Sequence, residues 1–271
     1  MTQKYLNIIN NAIEEVIKIE KETSPLGYLQ AEAVLYKKDN LIKRARLLQL
    51  LIKECDIGDK PIRILDVGPS EGIIPRALYE MGHDVQVLEH ASLYGTDDNI
   101  EKYNKYYQPL VVKYCVLEKG CFPYPDDSFD LVMNFGVIEH IEPPTFHFWN
   151  ELNRITKKGG IVFIDNPNPL NLRKRIYSIF GIIPNNDINL WFNQQPIFTG
   201  HYREHTLKEL VYCAEQSGLS VIKNGGFSFI LEAHLGKAGW FWRILIKIYS
   251  LFLITNNLKD TLYIVCQKVK H

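Results

Sequence analysis

Ile62-Arg-Ile-Leu-Asp66-Val-Gly68-Pro-Ser70-Glu-Gly72 decides the fold. Ile62–Val67 is a short apolar run of the kind that forms a buried strand. A glycine directly after it lets the chain turn tightly and brings backbone close to a ligand. Gly72–Met81 then reads as a helix closed by Gly82, whose start presents free N–H groups and the positive end of its dipole. Asp84–Leu88 is a second strand, and Glu89 ends it 21 residues after Gly68. An acid at that place can accept both hydroxyls of a ribose. Strand, glycine turn, helix, strand and acid together point to an adenosine-containing cofactor at the carboxyl edge of a sheet. The turn lacks the Gly-x-Gly-x-x-Gly spacing that admits a dinucleotide pyrophosphate, which argues against a nucleotide-dependent oxidoreductase.

Outward from this unit, strand-like runs alternate with helical segments. Val111–Val116, Phe129–Phe135 and Gly160–Asp165 read as further strands, and Leu219–Lys223 and Thr261–Val265 as two late ones. Such alternation predicts an α/β fold with a doubly wound, mostly parallel sheet covered on both faces. Thr206-Leu-Lys-Glu209 is a capping box that starts a helix, and Gly218 stops it. Residues 3–20 and roughly 28–54 carry helical spacing. Leu41, Ala45, Leu48 and Leu51 form one apolar stripe. The expected organisation is an N-terminal helical segment over 1–58 packed on a domain over 59–271. Within that domain, 181–205 reads as a substrate lid and 236–256 as an added helix.

Lys plus Arg and Asp plus Glu number 31 each, so no net positive field favours a nucleic-acid partner. The five cysteines are odd in number, widely spread and form no Cys-x-x-Cys pair. That argues against a disulfide framework, predicts no metal site and suits a reducing, cytoplasmic setting. In Gly239–Ile254, Trp240, Phe241, Ile244, Leu245 and Ile248 recur at helical spacing. A core helix or homodimer face is the favoured reading there, with a membrane or lipid-linked substrate as the alternative.

These residues resemble the class I S-adenosylmethionine-dependent methyltransferases. Asp66-Val-Gly68-Pro-Ser70-Glu-Gly72 is similar to the family's first motif, and Gly82–Glu89 to its second strand and ribose acid. Phe122-Pro-Tyr-Pro-Asp-Asp-Ser-Phe-Asp130 resembles the lead-in to the fourth strand, and Gly136-Val-Ile-Glu139-His140-Ile the segment after it. Glu151-Leu-Asn-Arg154 through Gly160 resembles the helix and turn before strand five. His201-Tyr-Arg203-Glu-His205 through Glu209 is similar to the post-core part of bacterial small-molecule and glycan methyltransferases. The resemblance implies a seven-stranded, Rossmann-like sheet with an antiparallel last strand. It implies S-adenosyl-L-methionine held by Asp66, Gly68, Pro69, Ser70, Gly72, Glu89, Leu117, Glu118, Asn134 and Phe135.

Two positions depart from the pattern. Ser70 replaces the middle glycine, which fits if its backbone angles are ordinary. Val116 stands where the family often has an Asp before the adenine-contacting pair. The expected reaction is transfer of a methyl group to an oxygen of a small molecule, with a sugar or glycan precursor favoured on Asn166-Pro-Asn168 and the His201 region. A quinone- or lipid-precursor enzyme and an inactive cofactor-binding scaffold are the alternatives. His140 is the expected general base, because it follows strand four at the carboxyl edge. His201, Tyr202 and Arg203 are the expected substrate contacts. Arg173, Lys174 and Arg175 read as a solvated helix face.

Overall fold

The computed structural model describes residues 3–23, 38–94, 100–182, 188–193, 200–228 and 255–269. Their apolar runs become one seven-stranded sheet: β1 (Arg63–Val67), β2 (Asp84–His90), β3 (Val111–Cys115), β4 (Phe129–Asn134), β5 (Thr156–Pro167), β6 (Leu219–Phe227) and β7 (Thr261–Lys268). The strand order is β3-β2-β1-β4-β5-β7-β6. β1, β2, β3, β4 and β5 pair in parallel, and β7 runs antiparallel between β5 and β6. This is the expected Rossmann-like architecture with a reversed last strand. The order of the parallel strands reverses at β1, so the carboxyl ends of β1 and β4 flank a topological switch point.

The helices are α1 (Gln3–Thr23), α2 (Lys38–Glu54), α3 (Ile73–Glu80), α4 (Ala91–Tyr94), α5 (Ile100–Tyr107), α6 (Phe146–Ile155), α7 (Leu172–Ile179), α8 (Ile188–Asn193) and α9 (Leu207–Gln216). Successive strand residues face opposite layers, as the pleat requires. Ile64, Val87, Leu131, Met133, Phe163 and Val265 meet Ile9 and Ile13 of α1 and Leu48 of α2. Leu65, Val67, Val132, Val162 and Ile264 meet Trp149 and Leu152 of α6 and Leu210 of α9. The α2 stripe behaves as its spacing demands: Ala45, Leu48 and Leu51 are fully buried and Leu41 partly so. The first two helices thus share one hydrophobic cluster with the sheet.

Some boundaries differ from the sequence reading. β5 begins at Thr156, which pairs with Phe129 of β4, and β6 runs to Phe227, because its pairing with β7 continues past the apolar stretch into Asn224, Gly225 and Gly226. Tertiary hydrogen bonds override weak local strand preference there. α2 begins at Lys38, and 24–37 lie outside the described residues. Of the lid, 183–187 and 194–199 lie outside them, and Ile188–Asn193 is helical. The added helix over 236–256 falls almost wholly outside. All five cysteines are free, and no helix among the described residues is long and apolar enough to cross a membrane.

The motif around Arg154 acts as a brace. Its guanidinium donates to the carbonyls of Tyr124 and Phe122 at 2.8 and 3.0 Å and to Asp126 and Glu151 at 2.8 and 2.7 Å. Glu151 also accepts from the Phe122 amide at 2.6 Å. One planar fork with several donors thereby fixes the lead-in to β4, and so the exit of β4 at the carboxyl edge.

Candidate active site

The loop after β1 is shaped by three left-handed residues in alternation: Gly68 (φ 71), Ser70 (φ 53) and Gly72 (φ 69). A Cβ on Gly68 would lie 2.5 Å from Val137 Cγ2, so this backbone is packed against the segment leaving β4. A Cβ on Gly72 would lie 3.1 Å from the Tyr107 ring. Ser70 does not have the ordinary backbone angles that the sequence reading asked of it. It occupies the conformation that a glycine prefers, at a cost of ~1 kcal/mol. Its hydroxyl donates to Glu71 at 3.1 Å and its carbonyl accepts from the Tyr107 hydroxyl at 2.7 Å. Ser70→Gly is therefore expected to raise stability by about 0.5–1 kcal/mol, part of the relief being offset by glycine's extra chain entropy. Urea unfolding measures it, and a midpoint below wild type would contradict the assignment of strain.

The acids at the carboxyl edge are buried and hold their protons strongly. Asp66 is 1% exposed, and its Oδ1 has no hydrogen-bond partner among the described residues. Burial, then the nearby Glu89 and Asp165 carboxyls, push it well above the usual carboxylate range. Burial pushes Glu89 up to about 7, against the stabilising bond from Tyr107. The Tyr107 hydroxyl lies 2.5 Å from Glu89 Oε1 as well as 2.7 Å from the Ser70 carbonyl. It has one proton for two acceptors. When Glu89 is ionised, Tyr107 donates to it; when Glu89 is neutral, the carboxyl supplies its own proton and Tyr107 can turn to Ser70. The glycine loop and the acid are thus joined through one tyrosine. Tyr106 adds a second clamp, donating to the Glu71 carbonyl at 3.0 Å. Buried Arg76 anchors the end of α5 by donating to the carbonyls of Gln108, at 2.6 Å, and Tyr106. The sequence motifs missed these tyrosines; the signal available was Tyr103, Tyr106 and Tyr107 at helical spacing.

Beyond β4, Asn134 is fully buried and its Oδ1 has no partner among the described residues, while Nδ2 lies 3.4 Å from the Val67 carbonyl. Phe135 packs on Phe163. Leu117 is buried beyond β3, and Glu118 beside it bonds His90 Nε2 at 2.9 Å. Burial raises Glu118, but the His90 hydrogen bond, a backbone hydrogen bond and the charges of His90 and Lys119 together hold the carboxyl below its usual range. Pro69 is buried under the loop. Two buried oxygens without a partner among the described residues, on neighbouring strand ends, and a buried acid at the end of β2 fit an adenosine cofactor with a charged amino-acid tail.

A second group forms where the chain leaves β4. Ile138–His140 is a single 3₁₀ turn. Glu139 is 2% exposed, and its Oε2 has no partner among the described residues. Burial, with smaller contributions from Asp165 and Glu204, pushes it up to about 8. His140 Nδ1 lies 3.0 Å from the Gly200 carbonyl, and its ring meets the His201 ring edge-on at 4.7 Å. His201 Nδ1 lies 3.1 Å from Glu204, which also pairs with buried Lys174. The Tyr202 and Arg203 amides both donate to the Glu139 carbonyl, at 2.7 and 3.3 Å. Folding therefore brings the expected base His140 against the expected substrate residue His201. Tyr202 and Arg203 are exposed, and the Arg203 side chain pairs with Glu209. Lys174 is a buried ion-pair partner rather than part of a solvated face, whereas Arg173 and Arg175 are exposed. Asp165, at the end of β5, accepts from the Gly136 amide at 2.7 Å, and sequence reasoning missed it.

A doubly wound sheet with a left-handed glycine turn and a buried acid at its switch point defines an adenosine-cofactor enzyme of the α/β class. A family model described as "Methyltransferase domain" matches residues 40–224. The chain belongs to that family, and its methyl donor is S-adenosylmethionine. A ubiquinone biosynthesis O-methyltransferase of Roseobacter denitrificans is 23% identical over 201 residues, covering 74% of each chain. Among solved structures, an Archaeoglobus fulgidus SAM-dependent methyltransferase matches with TM-score 0.54 and 18% identity, over 83% of this chain and 94% of that one. Phosphoethanolamine N-methyltransferase 2 of Haemonchus contortus, in complex with S-adenosyl-L-methionine, matches with TM-score 0.53 and 15% identity. That likeness covers 83% of this chain and 53% of the other.

Proposed function

We propose that this protein methylates an oxygen of a small acceptor, and that the acceptor is a phenolic or quinone-type lipid precursor. The observation that carries the oxygen reading is the meeting of His140, His201 and Glu139 beside the exit of β4. Bound S-adenosylmethionine supplies a methyl group already activated on a sulfonium, so the protein need only orient an oxygen and manage its proton. Glu89 would hold the ribose, and the Gly68–Gly72 backbone would face the amino-acid tail. The Gly200 carbonyl can only accept, so it keeps the His140 proton on Nδ1 and leaves Nε2 as the basic atom. His140 Nε2 takes the acceptor's proton as the oxygen attacks.

Two further observations support the acceptor class. Asn166 and Asn168, on which the sugar reading leaned, are engaged as backbone clamps. Asn166 Nδ2 donates to the His205 carbonyl at 2.7 Å and its Oδ1 accepts from the His205 amide at 3.0 Å. Asn168 Nδ2 donates to the Lys259 carbonyl at 2.8 Å and its Oδ1 accepts from the Leu170 amide at 2.9 Å. Meanwhile α7, tied to the site through Lys174 and Glu204, exposes Ile176, Ile179 and Phe180 and then Ile182, beside Arg173 and Arg175. Exposed apolar groups flanked by cations suit a lipid-tailed acceptor presented at a membrane surface. The printed names of relatives such as the Roseobacter protein agree with this class.

The test is a set of acceptors under one assay with isotopically labelled cofactor. Polyprenylated catechols and phenols should be methylated on oxygen, and nucleotide sugars should not. Turnover of a sugar in preference to every phenol would replace the acceptor class, and methylation on nitrogen alone would sink the oxygen reading.

A further inference from the structure

We infer that Glu139, His140 and His201 form a binding site for one divalent transition-metal ion. Each of the three offers a ligand atom, and these atoms lie within 4.8 Å of one another. The sequence predicts no metal site, because the ligands come from segments 61 residues apart and match no spaced motif. Folding joins the segments firmly, through the two amides of Tyr202 and Arg203 on the Glu139 carbonyl.

The surroundings are those of ligands rather than of stray polar groups. A metal-bound histidine almost always donates its other ring N–H to a carbonyl or carboxylate, which fixes the tautomer and aims the lone pair. Both histidines are arranged so. His140 Nδ1 faces the Gly200 carbonyl and His201 Nδ1 faces Glu204. Glu204 is itself held in place by its ion pair with buried Lys174. With the Nδ1–H of each ring given to these acceptors, each ring carries its lone pair on Nε2. Glu139 completes the set with a carboxylate oxygen that is buried and has no partner among the described residues. A buried carboxylate oxygen of this kind needs a cation or a donor beside it. Two imidazoles and one carboxylate suit Zn²⁺, Mn²⁺, Co²⁺ or Fe²⁺, whereas Mg²⁺ and Ca²⁺ favour all-oxygen shells.

Three protein ligands leave coordination positions open. An acceptor oxygen bound there would ionise more readily, and in the loaded protein His140 Nε2 would be a ligand rather than the base. That role rests on the oxygen-acceptor reading; binding of the ion does not.

The experiment uses the full, tag-free chain after chelator treatment and dialysis. Titration with Co²⁺ should give visible ligand-field bands of a low-coordinate nitrogen–oxygen site, saturating at one ion per chain, and Zn²⁺ should bleach them. His201→Ala and Glu139→Gln should each weaken Co²⁺ by at least about tenfold, and Glu204→Gln by about tenfold through loss of its hold on His201. Unchanged affinity of each variant for S-adenosylhomocysteine shows that it is folded. Absence of bands in the wild type, or bands unmoved by His201→Ala, overturns the site. Metal binding without methylation of any oxygen acceptor upholds the site and sinks the oxygen reading. Oxygen methylation that persists in a chain unable to bind Co²⁺ or Zn²⁺ does the reverse.

Discussion

Glu89→Ala is expected to weaken binding of S-adenosylmethionine, and of its demethylated product, by about 100-fold. A ribose bound at this acid gives two hydrogen bonds to a charged acceptor, each worth ~1.5–3 kcal/mol, and alanine supplies neither. Because Glu89 is buried at 3% exposure, water cannot replace the lost acceptor cheaply. The same burial gives the binding a pH dependence. Glu89 titrates at about 7 in the cofactor-free chain. Below that pH the group is a neutral carboxyl, and binding must first remove its proton. Affinity should therefore rise with pH up to about 7, by up to about tenfold per unit from this group, and level off above. Glu89→Gln keeps the shape but cannot ionise, so its affinity should be low and lack this step. Calorimetric titration with S-adenosylhomocysteine between pH 6 and 8 reads both effects. Wild-type affinity in Glu89→Ala would remove the ribose assignment, while the sheet and its family would stand.

How much of this site was legible beforehand follows from how local each signal is. Gly68, Gly72 and Glu89 could be read because a tight turn and a strand end leave marks within a few residues of themselves. The alternation of the two core faces could be read from apolar spacing, and the Thr206 capping box from four consecutive residues. Tyr107 could not. Its relation to Glu89 depends on how α5 returns across the edge of the sheet, and nothing near Tyr107 in the chain encodes that. Ser70 illustrates the opposite limit: its residue type stands out in the motif, but its left-handed backbone goes with the Tyr107 and Glu71 contacts that only the folded loop makes. Lys174 was misjudged because its neighbours Arg173 and Arg175 are solvated, and only the return of the Glu204 segment removes the middle cation from water. In the sequence Asn166 and Asn168 resemble part of a substrate signature, whereas three-dimensional pairing gives their amides to backbone of the 205 and 259 positions. Resemblance supplied the cofactor identity. Where a residue's partner lies tens of positions away, only the assembled structure supplies the role.

His140→Ala should lower turnover by about 100-fold or more while leaving affinity for S-adenosylhomocysteine within about twofold of wild type. The split follows from position. Asp66 and Glu89 sit on β1 and β2, whereas His140 lies in the turn after β4 and bonds the Gly200 carbonyl. Loss of the ring removes either the base or a metal ligand, so this variant alone does not tell the two chemistries apart. His201 does. If His140 acts only as a base, His201 is a neighbour that orders the acceptor, and His201→Ala should cost about tenfold, chiefly in KM for the acceptor. If the three groups hold an ion, removing either imidazole empties the same site. His201→Ala should then match His140→Ala in kcat, and the double variant should be no worse than either single one. Such non-additivity is the mark of residues acting as one unit. Equal losses that add fully in the double variant would contradict both descriptions, because two separate steps would then depend on two independent histidines whose rings nevertheless touch at 4.7 Å.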